Sequence, residues 1–494
     1  MYFSKSKYCS LWQCPKMCWL KKYKPEEYKI DPDVQARFET GNQVGALAKG
    51  LFGAYCDITT LKADGSLNLS AMVEKTKKAI ADGVENICEA AFSFGGLYCA
   101  VDILHKENGG YAIYEVKSST DVKPIYSADI AYQKYVLEKC GVCVTGTFLV
   151  NINSEYIRSG EVDIKQFFKI TDVSQSVNEE VKVVEQKLED AEKMLANPNE
   201  PELDIDTNCT DPYDCGFWDY CTKHIPTPSV FDLYRLSFKD KIASYKKGII
   251  SFDDMVANGV ALTGIKKMQV DYALNDRGTY IDKEKIKEFL NELSYPLYFL
   301  DFESMRLAIP PFDNSKPNQQ IPFQYSLHYI ESENGEIKHK EILAQSGADP
   351  RREIAEHLCN DIPDNVCVLA YYKTYECRRI GELANLFPDL SEHLLKIRSN
   401  IKDLLIPFQN GYYYNRAMGS SFSIKSVLPA IYPELNYHDL EGVHNGSEAM
   451  DIFPKIKDMP PEEAQKAREQ LLKYCGLDTF AMVKLWQELV RVTK

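Results

Sequence analysis

The chain has 494 residues, 45% of them hydrophobic and 26% charged, with a formal net charge of −14. That length exceeds one ordinary core and sets two or three globular domains as the expectation. So large an acidic surplus excludes indiscriminate coating of nucleic acid, but not a nucleic-acid enzyme, because metal-holding carboxylates are part of the count. No run of eighteen apolar residues occurs, so no membrane span is expected. The N-terminal stretch lacks the apolar core of a secretory signal, and a cytoplasmic chain is the expectation. Fifteen cysteines in such a chain point to thiols and metal ligands, not to a disulfide scaffold.

Residues 1–30 mix Cys9, Cys14 and Cys18 with Trp12 and Trp19. They also carry Lys5, Lys7, Lys16, Lys21, Lys22, Lys24 and Lys29 against Glu26 and Glu27, a basic face able to receive phosphates. Phe38, Val44, Leu47 and Phe52 recur roughly at helical spacing over 34–52, and 73–82 reads as a second helix. A short strand-like run, 86–92, carries Glu89.

The stretch 97–119 then reads as a β-hairpin. Asn108-Gly109 sits between two apolar-rich runs, and Asn-Gly is a preferred centre for a tight two-residue turn. With Glu107 facing Gly110, counting back brings Asp102 opposite Glu115, their β-carbons about 5 Å apart. Two facing carboxylates repel; a divalent cation between them reverses that sign. Lys117, two residues beyond Glu115, shares its strand face. Two acids and a lysine at one spot are what metal-assisted phosphodiester hydrolysis needs.

A helix follows over 127–139 with Asp129, Gln133 and Tyr135, then a β-rich run, 142–152, and a charged amphipathic helix, 181–195. Cys209, Cys215 and Cys221 lie among Pro, Gly and aromatics and suit a loop that wraps a metal centre. Cys14 is the first choice for a fourth ligand, with Cys9, Cys18 and His224 as competitors. All-thiolate ligation suits a [4Fe–4S] cluster or zinc. Such a centre would clasp the two ends of a domain spanning 1–224, offsetting a closure entropy on the order of several kcal/mol.

This first half resembles the RecB/AddB-type PD-(D/E)XK nucleases, especially the CRISPR-associated branch with an iron–sulfur cluster. The resemblance rests on the QCPK start, Asp102 with Glu115-Val116-Lys117, Tyr132-Gln133 and the late cysteines, and covers about 4–224. It implies a restriction-endonuclease-like fold, Asp102 and Glu115 as metal ligands, Lys117 as water-positioning base and Gln133 as an accessory residue. It also implies Cys14, Cys209, Cys215 and Cys221 as cluster ligands. The family's metal-binding His on the early helix is absent from Gly41–Gly45, and Glu89 is a candidate replacement.

Residues 225–293 read as a helical connector. The run from Leu297 to Glu303 then suits a buried central strand, with Asp301 and Glu303 on one face. Two acids there are costly unless paired or metal-bound. Hairpin strands 323–330 and 337–344, a helix 350–360, a strand 365–372 and a helix 375–387 follow. Three antiparallel strands and then alternating helix and strand are the order of an RNase H-like domain over 294–494. Glu376 opens the helix after the fourth strand. Two closing helices, 462–474 and 478–492, bring Tyr474 and Asp478 four residues apart, on one face if the helix runs on. Ser423 and Lys425 either contact substrate or belong to a capped helix start, the latter being the default.

This second half resembles DnaQ-like exonucleases of the DEDD class, through Asp301-Phe302-Glu303 and Tyr474-x-x-x-Asp478. Glu376 stands where that class carries Asp. The resemblance implies two divalent ions, Mg²⁺ or Mn²⁺, about 4 Å apart, held by Asp301, Glu303, Glu376 and Asp478, with Tyr474 orienting water. The whole order is similar to an uncharacterised bacterial family that fuses both halves. The expectation is an α/β (α+β) multidomain nuclease acting on nucleic acid, DNA first and RNA second, with a 3′–5′ exonuclease site. The rival is a nucleic-acid-binding scaffold in a repair or defence complex with one or both sites inactive.

Overall fold

The computed structural model describes residues 2–30, 34–437 and 440–494. The chain folds as mixed α/β structure in two compact units: Met1–His224 with Leu307–Asn318, and Ile225–Arg306 with Gln319–Lys494. The stretch 225–293 falls in the second unit and contributes short helices to it.

The first unit contains a seven-stranded sheet of β1 (Phe3–Ser4), β2 (Cys56–Asp57), β3 (Asn86–Phe94), β4 (Leu97–Glu107), β5 (Gly110–Lys117), β6 (Val144–Ile152) and β7 (Phe168–Asp172). The order is β2-β3-β4-β5-β6-β7, with β1 on β4. Helices α1 (Lys5–Gln13), α2 (Pro15–Tyr23), α3 (Val34–Ala48), α4 (Leu69–Ala81) and α5 (Pro124–Lys139) surround it. The parallel step from β5 to β6 needs a crossover, and α5 supplies it. Its residues from Ile125 to Gln133 are buried without a break, so it reads as a core helix and lacks a clean amphipathic stripe.

The β4–β5 turn has Asn108 at φ 51° and Gly109 at φ 80°, both in the left-handed region that an Asn-Gly hairpin turn requires. A Cβ on the next residue, Gly110, would stand 2.4 Å from the Cys143 carbonyl oxygen. The register runs from Glu107↔Gly110 to Ile103↔Tyr114, one step short of Asp102 and Glu115. The helix expected over 181–195 starts earlier, at Ser174, because Val177 extends the buried stripe of Val184, Ala191 and Leu195 toward its N-terminus.

In the second unit β8 (Thr279–Ile281) pairs with β14 (Tyr413–Asn415). The main sheet comprises β9 (Leu297–Arg306), β10 (Gln320–Ile330), β11 (Ile337–Leu343), β12 (Cys367–Ala370) and β13 (Ile401–Asp403), ordered β11-β10-β9-β12-β13. The β9, β10 and β11 pairings are antiparallel, and β12 and β13 run parallel to β9. Eight of the ten β9 residues are buried and Asp301 is half-buried, as expected for a central strand covered on both faces. The two closing helices expected at 462–474 and 478–492 are one helix, Pro461–Thr493. Gly476 does not break it. Burial of Leu471, Cys475, Met482 and Leu489 outweighs the roughly 1 kcal/mol cost of a helical glycine.

Candidate functional site

Two carboxylate clusters and one cysteine-lined cavity emerge. In the first unit, β4 supplies Asp102, β5 supplies Glu115 and Lys117, and α5 supplies Asp129 and Gln133. Glu115 is 1% exposed. Its Oε1 accepts from Lys117 Nζ at 2.7 Å and from Lys5 Nζ at 2.9 Å; its Oε2 accepts from Gln133 Nε2 at 2.8 Å. Lys117 also reaches Asp129 Oδ2 at 2.8 Å, and Gln133 donates to Asp129 Oδ1 at 3.0 Å. Asp102 Oδ2 accepts from the Val116 N–H at 2.7 Å, and Lys5 Nζ stands 3.9 Å from Asp102 Oδ1.

Burial, with the charges of Asp102 and Asp129, pushes Glu115 up to about 7 against the pull of both lysines. Asp129 is driven down instead: burial opposes, but Lys117 and Lys5 outweigh it. Lys117 is raised because Asp129, Glu115 and Asp102 overcome the cost of burial. All four residues assigned to this site from the sequence therefore meet. The candidate replacement Glu89 lies on β3 between the Cys88↔Ile103 and Ala90↔Val101 pairs, level with Asp102 on β4, and its carboxylate stands 3.6 Å from Lys49 in an ion pair. Asp129 and Lys5 were not assigned. The Gln133 Oε1 acceptor is buried without a partner. Two carboxylates and a free amide oxygen fit a hard cation, but Lys5 already lies across the two acids.

The cysteines sit where α1 meets α2. Cys14, Cys209, Cys215 and Cys221 all line one small cavity of about 20 Å³. Gln13 Nε2 donates to the carbonyls of Asn208 and Tyr213, and Asn208 returns a bond to Gln13, so the N-terminal segment is pinned to the late loop. Burial pushes Cys209 and Cys221 up to about 11 and raises Cys215. Thiols so placed stay protonated unless a metal draws the proton off. Four thiols are the ligand type a thiolate centre takes, but among the described residues the group of ligand atoms within 4.8 Å of one another is the acidic triad of the second unit and not these cysteines.

In the second unit, Asp301 and Glu303 project from one face of β9, and Asp478 comes from the helix Pro461–Thr493. One ligand atom from each lies within 4.8 Å of the other two, and among the described residues this is the triad so arranged. Glu303 and Asp478 are 7% and 6% exposed. Burial raises all three acids, and repulsion from neighbouring carboxylates adds to this at Asp301 and Glu303; Glu303 goes up to about 8, and burial alone lifts Asp478 to about 6. Lys425 and the hydroxyls of Tyr437 and Tyr474 pull Asp478 the other way. Tyr437 donates to Asp478 Oδ1 at 2.6 Å.

Glu376 stands outside the triad but acts on Asp301 and Glu303. Burial first, then Asp403, pushes Glu376 up to about 8. Its Oε2 is buried without a hydrogen-bond partner. Clustered buried acids with an orphan oxygen are what a divalent cation neutralises, so the donor set fits Mg²⁺ or Mn²⁺. Tyr437 went unassigned in the sequence, where nothing marks a lone tyrosine 41 residues ahead of its partner.

Fold and site together define a two-unit α/β protein with an acidic, cation-competent centre in its second unit. Residues 298–423 match the model of a domain family of unknown function, DUF2779. A curated relative, the "Uncharacterized protein MG366 homolog" of Mycoplasma pneumoniae, is 25% identical over 235 residues, covering 43% of this chain and 35% of the relative. The chain thus matches about a third of that relative's length. Among the described residues no helix is long and apolar enough to cross a membrane.

Proposed function

We propose that the protein is a divalent-metal-dependent nuclease with a 3′–5′ exonuclease site in its second unit and a PD-(D/E)XK site in its first. The observation that carries this is the convergence of Asp301, Glu303 and Asp478 beside Tyr474. The order β11-β10-β9-β12-β13, with the last two strands parallel to the first, supports an RNase H-like fold. The β4–β5 hairpin followed by α5 with Gln133 on Glu115 supports the other.

Asp301, Glu303 and Asp478, with Glu376 nearby, would hold Mg²⁺ or Mn²⁺. Bound there, the metal supplies an activated water and neutralises charge on the phosphate. Tyr437 fixes the Asp478 carboxylate, and Tyr474 orients the attacking water. Asp102 and Glu115 would hold the metal of the first site, where Lys117 steadies a water. A groove of about 850 Å³ leads to that site, lined by Lys5, Lys21, Tyr28, Lys117, Tyr126 and Tyr213 among others. Cations interleaved with aromatic rings suit nucleic acid. The four cysteines would hold a structural [4Fe–4S] cluster, or zinc.

Lys5 favours a second reading for the first site alone. With Lys117 it compensates Glu115 without any metal, as in a site that binds strands but does not cut them. The deciding assay incubates end-labelled single- and double-stranded DNA and RNA with the protein, with and without Mn²⁺, alongside Asp102→Ala and Asp301→Ala. Loss in one variant identifies the working site. Cleavage indifferent to metal and to both changes removes the nuclease proposal.

A further inference from the structure

Lys425 is the residue of the second site to which the proposed function gives no role. It lies in the first turn of the helix Ile424–Ile431, within the serine-rich segment 420–426. The serines of that segment turn to one another: Ser421 donates to Ser423, and Ser423 shares a hydrogen bond with Ser426. The lysine turns to the acids. Its Nζ donates to the His444 carbonyl at 3.1 Å and stands 4.8 Å from the Tyr474 ring centroid and 5.2 Å from that of Tyr437. Those two hydroxyls are the ones that act on Asp478.

The position is unusual for a charge held only for stability. A structural lysine beside buried acids closes an ion pair, as Lys117 does with Glu115 and Asp129. Among the described residues Lys425 closes none, although its charge is felt at Asp301, Glu303 and Asp478. Two ring faces and a carbonyl hold the ammonium off the carboxylates, and cation–π attraction keeps it there. The gap between ammonium and acids is where an anion would gain from the one and be repelled by the others.

We propose that Lys425 is a further catalytic residue of the second site, contacting a non-bridging oxygen of the scissile phosphate. This rests on the exonuclease reading above. A phosphodiester brings one negative charge toward a cluster of acids, and a compact ammonium is a good point-charge partner for it. In the step itself the water oxygen bonds to phosphorus and the bond from phosphorus to the bridging 3′ oxygen breaks. The proton lost by water is balanced by the one taken up at the leaving 3′ oxygen, and the product is a nucleoside 5′-monophosphate. Lys425 stays protonated throughout and exchanges no proton.

The test separates phosphate contact from metal binding. Calorimetric titrations use the full chain carrying Asp102→Ala, which silences the first site. Mn²⁺ alone is titrated first, then thymidine 5′-monophosphate in saturating Mn²⁺, for Lys425, Lys425→Met and Lys425→Arg. Lys425→Met is expected to bind Mn²⁺ at least as tightly as its parent. Its monophosphate affinity should fall about tenfold or more, the scale of one charge-assisted hydrogen bond, and Lys425→Arg should recover part of it. Unchanged monophosphate affinity in Lys425→Met overturns the proposal. So does joint loss of Mn²⁺ and monophosphate binding, the mark of a structural lysine. A parent that binds no Mn²⁺, or whose Mn²⁺ binding survives Asp301→Asn, overturns the exonuclease reading as well.

Discussion

Replacing Asp301 by Asn tests the central claim from two directions at once. Three carboxylates with ligand atoms within 4.8 Å of one another repel by about 3 kcal/mol per ionised pair at an effective dielectric of about 20. Removing one acid deletes two of the three pairs. Protonation of one member in the metal-free protein already relieves part of that strain, so the net gain should be on the order of 2 kcal/mol. For a unit of this size that is a rise of about 4–8 °C in melting temperature. Mn²⁺ should act in the opposite sense across the two proteins. A site held at a hundredfold excess over its Kd stabilises the parent by about 2.7 kcal/mol; the Asn variant, short of one ligand, should respond little. The assay is calorimetric melting at pH 8 in EDTA and then in Mn²⁺. A variant that melts below its parent in EDTA, with a parent indifferent to Mn²⁺, would refute the idea that these acids are gathered for a cation. An ordinary structural aspartate gives that result, because its loss removes favourable contacts.

Four further outcomes are expected. Lys5→Met should lower the metal-free stability of the first unit by about 1–3 kcal/mol, since it strips one of two cations from a buried glutamate, and Mn²⁺ should restore part of the loss; equal melting in EDTA would mean that the ion pair contributes nothing. Burial first, and His339 second, hold the His328 imidazole down at about 4 from its usual 6.5. The folded state therefore favours neutral His328, and stability present above pH 6.5 should drain away as the pH falls toward 4. The ceiling is about 3 kcal/mol, reduced to about 1–2 for a partly exposed ring; His328→Gln should flatten that acid limb, and an unaltered limb would refute the assignment. If the four thiols hold the proposed centre, Cys215→Ser should abolish its iron or zinc, measured by metal analysis together with acid-labile sulfide, and leave the first unit more easily unfolded; metal content that is nil in the parent or unchanged in the variant would remove Cys215 from a ligand set. Gly110→Ala should cost a few kcal/mol by urea unfolding, because its Cβ would meet the Cys143 carbonyl oxygen at 2.4 Å.

What could be read from the sequence was whatever short-range geometry dictates. An Asn-Gly turn fixes a two-residue hairpin, and that alone sets the register from Glu107↔Gly110 to Ile103↔Tyr114, which leaves Asp102 and Glu115 one step beyond the last pair. Period-2 alternation places Asp301 and Glu303 together, and period 3.6 places Tyr474 over Asp478. The missed residues share the opposite property. Lys5 reaches Glu115 across 110 positions, and Tyr437 reaches Asp478 across 41. No local pattern records such a meeting, because it is made when α1 and the Pro461–Thr493 helix dock on their sheets. The closing helix runs on through Gly476 because burial of Leu471, Cys475, Met482 and Leu489, not the local propensity of one glycine, decides the matter.

The two acidic centres differ in how their charge is balanced, and the difference bears on what each can do. In the first, Glu115, Asp102 and Asp129 face two lysines within 3.9 Å or less of an acid oxygen. The cluster is nearly neutral as it stands, and an incoming divalent ion must push Lys5 aside. In the second, three acids and a nearby fourth face one lysine that closes no ion pair with them among the described residues. That imbalance can be relieved only by protons or by added cations. The second centre should therefore load first as Mn²⁺ is raised, and the first only at higher concentration. Titrating Mn²⁺ into Asp102→Ala and Asp301→Asn separately checks the order. The tighter binding phase should vanish with Asp301→Asn and survive Asp102→Ala, and the reverse pattern would show that Lys5 yields its place more readily than its two close contacts imply.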